Sequence, residues 1–106
     1  TVLASTVEVA DSPLARARGL MFRRSIPDDF AMVFTFDRVR QRSVHMCFVP
    51  FPLTVIWAVD GQVARADRLS AWVGVARAKA DLLVELPADR LESVEIDDAI
   101  RIVDGS

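Results

Sequence analysis

Apolar and polar residues alternate along most of this chain, the two-residue period of strands with one buried face. In residues 2–9, Val7 and Val9 fall on one side and Thr6 and Glu8 on the other, giving an opening strand. Residues 31–36 gather Met32, Phe34 and Phe36 on one face. Residues 42–49 set Val44, Met46 and Phe48 against Ser43, His45, Cys47 and Val49. Two strand-like runs, 53–59 and 62–66, flank Asp60-Gly61, a two-residue hairpin turn in which both positions need positive φ. A strand at 82–86 ends at Pro87, and an edge strand at 99–103 closes the series. Residues 70–79, around Gly74, read as irregular, and 88–93 hold one helical turn.

One segment follows a different period. Asp11-Ser12-Pro13 is a helix start, with a capping side chain ahead of a proline whose missing N–H costs nothing there. Leu14, Ala17 and Met21 recur at helical spacing, Leu20 widens the stripe, and Arg16 and Arg23 share another face. The helix spans 13–22 and stops before Pro27. About seven strands and one N-terminal helix predict a mainly β (α+β) fold, a small antiparallel barrel or sandwich forming one domain over residues 1–106.

Composition agrees with a packed domain. Of 106 residues, 52% are hydrophobic and 26% charged, enough apolar surface to offset chain entropy. No apolar run reaches the roughly 20 residues that span a bilayer. A single cysteine excludes an internal disulfide and a four-Cys zinc site. The lone Cys and the lack of a visible leader point to the cytoplasm.

Charge is unevenly placed. The net charge of −2 argues against a nucleic-acid partner held by counterion release. Residues 12–50 carry seven Arg against three acids, a local +4, and residues 81–106 carry two Arg against eight acids, a local −6. Arg38, Arg40 and Arg42 alternate along one face and repel one another unless something compensates them. Two sources exist: the acidic C-terminal third, or an external anion such as a carboxylate, a phosphate or an acidic protein segment.

Other candidate chemistry is sparse. His45, Met46 and Cys47 suit a soft metal by type, yet consecutive strand residues point to opposite sides and do not converge. His45 and Cys47 share a face about 6.5–7 Å apart at Cα, too far for a working thiol–imidazole pair without a bulge. No Gly-rich phosphate loop is present. No metal or other cofactor is expected. Phe48 and Phe51, with Pro50 and Pro52, form a stiff apolar loop. Trp72 is expected as a buried indole pinning its loop, with a binding anchor as the alternative.

Several short motifs, in order, resemble one family. Val7-Glu8-Val9-Ala10-Asp11 leads to Arg16-Ala17-Arg18-Gly19-Leu20-Met21 and Arg24-Ser25-Ile26-Pro27. Met46, Pro52-Leu53, Val55-Ile56, Asp60-Gly61 and Leu83-Val84-Glu85-Leu86-Pro87-Ala88 follow. Together they resemble the uncharacterised domain of unknown function 192. The resemblance implies a small β-rich domain with one early helix and brings no catalytic residue, cofactor or substrate. Many relatives of that family place Lys-Asn-Thr after the strand Met and Asp in a Pro-Leu-Asp run. Here Cys47-Phe48-Val49 and Thr54 stand instead.

The expected function is a ligand- or partner-binding module without catalytic activity of its own. Arg38, Arg40, Arg42, Trp72 and Phe51 are its binding residues. The alternative is a small hydrolase-like or thiol-redox enzyme using Cys47 and His45.

Overall fold

In the computed structural model, which describes residues 3–10 and 19–100, five strands form one mixed sheet. They are β1 (Thr6–Ala10), β2 (Phe30–His45), β3 (Leu53–Val59), β4 (Gln62–Leu69) and β5 (Val75–Pro87), in the spatial order β1-β2-β5-β3-β4. β1 runs parallel to β2, and the other pairs are antiparallel. The sheet is open, with β1 and β4 at its edges, and does not close into a barrel. Among the described residues no helix is long and apolar enough to cross a membrane.

β5 holds the centre because its second half is apolar on both faces. Val84 and Leu86 pack with Ala31, Val33, Ile56 and Val63 on one side. Leu83 packs with Met32, Phe34, Leu53, Val55 and Trp57 on the other. The 3-10 turn Ala88–Ser93 follows directly.

Where β1 enters the sheet, Asp29 holds it in register. Its Oδ2 accepts bonds from Ser5 Oγ at 2.6 Å and Thr6 Oγ1 at 2.7 Å, and its carbonyl accepts both backbone N–H groups. These hydroxyls hold the Asp29 carboxyl below the usual carboxylate range.

Several expectations need correction. The runs expected at 31–36 and 42–49 are one strand of 16 residues that ends at His45. Asp37-Arg38-Val39-Arg40-Gln41 carries no apolar alternation, yet it stays extended, with Arg40 and Gln41 paired to Ala80 and Lys79 of β5 and 36–39 outside the ladder. Residues 75–79, read as irregular, belong to β5: Ala76, Ala78 and Ala80 alternate with Arg77 and Lys79. Seven strands thus become five among the described residues, and the sheet is mixed because β1 and β2 are parallel. Ala99 contributes an isolated bridge to Gln62, and the rest of the expected strand at 99–103 lies outside the described residues. Most of the helix expected at 13–22 is likewise outside them, and 19–22 form a turn with Gly19 and Phe22 at positive φ. The Asp60-Gly61 hairpin has the expected form, with φ of 51° and 79°.

Candidate functional site

The β2–β5 ladder breaks between Thr35 and Arg40. Thr35 pairs with Leu82 and Arg40 with Ala80, so residues 36–39 face only Asp81. An excursion of this kind bends a strand and re-aims its side chains. The face also re-phases on β5, since Ala76, Ala80 and Leu83 all join one core cluster. Cross-strand partners share a face. Arg40, Arg42 and Val44, opposite Ala80, Ala78 and Ala76, therefore emerge on the side of Phe34 and Leu83.

Two adjoining clefts result, each of about 410 Å³, within the range of ligand sites. The first lies between the turn at 19–21 and the β2–β5 face, and Phe34, Leu83, Arg42, His45 and Glu85 are among its walls. The second is walled by Phe36, Asp37, Arg38, Arg40 and Arg42. Phe36 and Arg42 line both, so the two clefts, together the groove, meet at this stacked pair.

Arg42 is held in place. Its guanidinium lies 3.9 Å from the Phe36 ring centroid, and its Nε and Nη2 donate to the carbonyls of Ala80 and Arg38 at 3.4 and 2.8 Å. Arg38 and Arg40 are exposed, and among the described residues none of the three arginines forms an ion pair with a carboxylate. Three acids of the C-terminal third have other partners. Asp89 pairs with Arg90 at 3.2 Å, Asp98 accepts the Glu95 N–H at 2.9 Å, and Asp81 accepts the Asp60 N–H at 3.4 Å.

Glu85, which sequence reasoning did not single out, is the unexpected member. Its residue is only 7% exposed, and it stands between Met32 of β2 and Val55 of β3. Gly19 brings its backbone close, such that a Cβ there would sit 3.6 Å from Glu85 Oε1. No side chain among the described residues hydrogen-bonds the carboxyl. Burial pushes its pKa from the ordinary 4.5 to about 7, against a smaller opposing pull from Arg23. Arg23 itself is committed to Glu8 at 2.7 Å. A signal was available in the sequence: Glu85 has the same strand parity as Leu83, which puts a carboxyl on the apolar face of Leu82-Leu83-Val84-Glu85-Leu86.

The remaining candidates do not join this groove. Trp72 is 57% exposed, so the expected buried indole is corrected: it stands outward on the 70–74 loop, where its backbone has a φ of 68°. Phe51 is half-buried against the core. Phe22 and Phe48 stack at 5.0 Å beyond the end of β2 and are exposed. At His45, Nδ1 accepts the Cys47 backbone N–H at 3.3 Å, and Cys47 is exposed. Among the described residues the Cys47 thiol makes no hydrogen bond to that imidazole, and no three His, Cys, Asp or Glu side chains come together as metal ligands.

Residues 1–102 match the model of domain of unknown function 192, "Uncharacterized ACR", and the chain belongs to that family. No curated protein matches it. Two crystal structures share the fold. One, a "putative transcription regulator" from Sinorhizobium meliloti 1021, has 27% identity and a TM-score of 0.77 over 88% of this chain and 78% of that one. The other, a protein of unknown function from Novosphingobium aromaticivorans DSM 12444, has 24% identity and a TM-score of 0.75 over 88% of this chain and 71% of its own.

Proposed function

We propose that this member of the domain of unknown function 192 family is a binding module for a small anionic molecule, acting as one domain. Arg38 and Arg40 meet the anion, and Arg42, fixed against Phe36, orients it. The observation that carries this reading is the set of exposed arginines in a groove, with no carboxylate paired to them among the described residues. Like charges this close disfavour one another until an anion arrives, and guanidinium forks match carboxylate or phosphate oxygens. A nucleic acid suits the site less well. The chain carries a net charge of −2, and the groove contains two carboxyls of its own, Glu85 and Asp37. Trp72 and Phe51 do not line this groove, so they are assigned no contact with the anion.

Calorimetric titration with inorganic phosphate, acetate and hexanoate tests the reading. At low salt, at least one of these anions binds, and Arg38→Gln with Arg40→Gln abolishes the binding while the melting temperature stays within about 2 °C, as for exposed side chains without partners. A double variant that melts far lower, with no anion bound by the parent, assigns the arginines to stability instead.

A further inference from the structure

The groove has a second end that the anion reading does not use. At the first cleft, Glu85 lines the wall beside Phe34 and Leu83, with its carboxyl unpartnered among the described residues. The arginines lie along the same wall, through the shared Phe36 and Arg42. The groove thus has a carboxyl end at Glu85, an aromatic and aliphatic middle, and an end where three guanidiniums stand with the single carboxylate of Asp37. Building on the anion reading, we propose that the ligand is a small zwitterion, with an anionic group at Arg38, Arg40 and Arg42 and a primary ammonium at Glu85.

The chemistry at Glu85 favours an ammonium over a second acceptor or an apolar tail. A buried carboxylate without a donor is costly, and removing that cost requires a donor, most effectively one with positive charge. The described groups around Glu85 do not supply it. From β2 it faces Met32 and Phe34, from β3 it faces Val55 and Leu53, and from the turn it meets Gly19 and Leu20. None of these titrates. Among the described residues, Arg23 is the cation that acts on Glu85, and it is bonded to Glu8 at 2.7 Å. Arg42 and His45 also line the first cleft; Arg42 is tied to Phe36 and to two carbonyls, and His45 Nδ1 to the Cys47 amide. An incoming ammonium is the missing partner. The Phe34 and Leu83 walls suit a methylene stem between the two charged ends.

Straight-chain ω-amino acids are the probe, from 4-aminobutyrate to 8-aminooctanoate, each compared with the alkanoate and the alkylamine of matched length. Calorimetry at pH 6 and pH 8 gives the affinities, and carboxyl ¹³C titration follows Glu85. One chain length binds at least tenfold tighter than its alkanoate at pH 8, with a smaller advantage at pH 6. Its binding lowers the Glu85 pKa, which the alkanoate does not do. Glu85→Gln removes the tenfold advantage and does not lower alkanoate affinity. The inference is overturned if Glu85→Gln leaves the ratio of ω-amino acid to alkanoate intact. It is also overturned if no chain length outperforms its alkanoate. In that second case, alkanoate binding that still depends on Arg40 preserves the anion reading. Failure of every alkanoate and ω-amino acid to bind removes both.

Discussion

The indole Nε1 of Trp57 donates a hydrogen bond to the backbone carbonyl of Arg42 at 2.9 Å. Trp57 is 0% exposed, so this bond ties the core of β3 to the strand position that carries the groove's fixed arginine. The β2 ladder is displaced just upstream, and Arg42 depends on this link as well as on its own side-chain contacts. Trp57→Phe keeps an aromatic ring but leaves the Arg42 carbonyl without its donor. A loss of about 1–3 kcal/mol follows from that group alone, read from urea denaturation midpoints. Affinity for the anion falls as well. Unchanged stability would mean that the bond holds nothing in place.

A second prediction concerns the loop that carries Trp72. A Cβ at Gly74 would stand 2.7 Å from the Ser70 carbonyl oxygen and 2.8 Å from the Ser70 nitrogen. Both are backbone atoms in a turn closed by the Gly74 N–H to Ser70 O bond at 3.0 Å, so neither can swing away. The Gly74 carbonyl also accepts the Met46 N–H at 2.9 Å, which joins this loop to the end of β2. Gly74→Ala therefore costs about 1–3 kcal/mol, the usual range for forced overpacking, measured by thermal and urea unfolding. Ser70→Ala, which leaves the backbone alone, does not.

The entry of β1 gives a third. Ser5 and Thr6 both donate to Asp29 Oδ2, and both favour its ionised form. With the folded pKa depressed, the contribution of Asp29 is present above the unfolded value and is lost as pH falls through the folded one. Asp29→Asn weakens both hydroxyl bonds. Amides of Thr6–Ala10 then exchange with deuterium faster, while those of β3 do not change. Equal exchange in both strands would show that Asp29 does not anchor β1.

Much of this fold was legible from the period of the residues. Asp60-Gly61 fixed a hairpin because only a tight turn asks for two positive φ values in succession. Met32 and Phe34 declared their buried face by alternation. The groove was harder to read. Its arginines were visible as a cluster, but their geometry comes from an excursion opposite Asp81, where four residues of β2 leave the ladder without a local sequence signal. Parity alone could have exposed Glu85, since a charge on the Leu83 face of an apolar run marks a carboxyl in the core. Trp72 misled for a different reason: a large indole is usually buried, and this one is exposed on a loop whose left-handed backbone at Trp72 its own sequence does not announce.

Glu85 also sets a pH dependence whose sign distinguishes it from the other acids. In the unfolded chain it titrates near 4.5, and in the fold near 7. Below the first value both states hold the proton, and the residue is neutral to stability. Between the two values only the folded state holds it, so unfolding releases a proton and rising pH favours the unfolded chain. Stability falls progressively across this window and levels off above about pH 7, with a total loss of about 3 kcal/mol. Glu85→Gln keeps the shape of the side chain and does not titrate. The variant is at most as stable as the parent at pH 4 and exceeds it at pH 8, as urea midpoints at pH 4, 6 and 8 would show. Parallel curves for parent and variant would mean that the carboxyl is solvated after all. A bound ω-amino acid should flatten the parent's slope, because an ammonium beside Glu85 brings its folded pKa back towards the unfolded value.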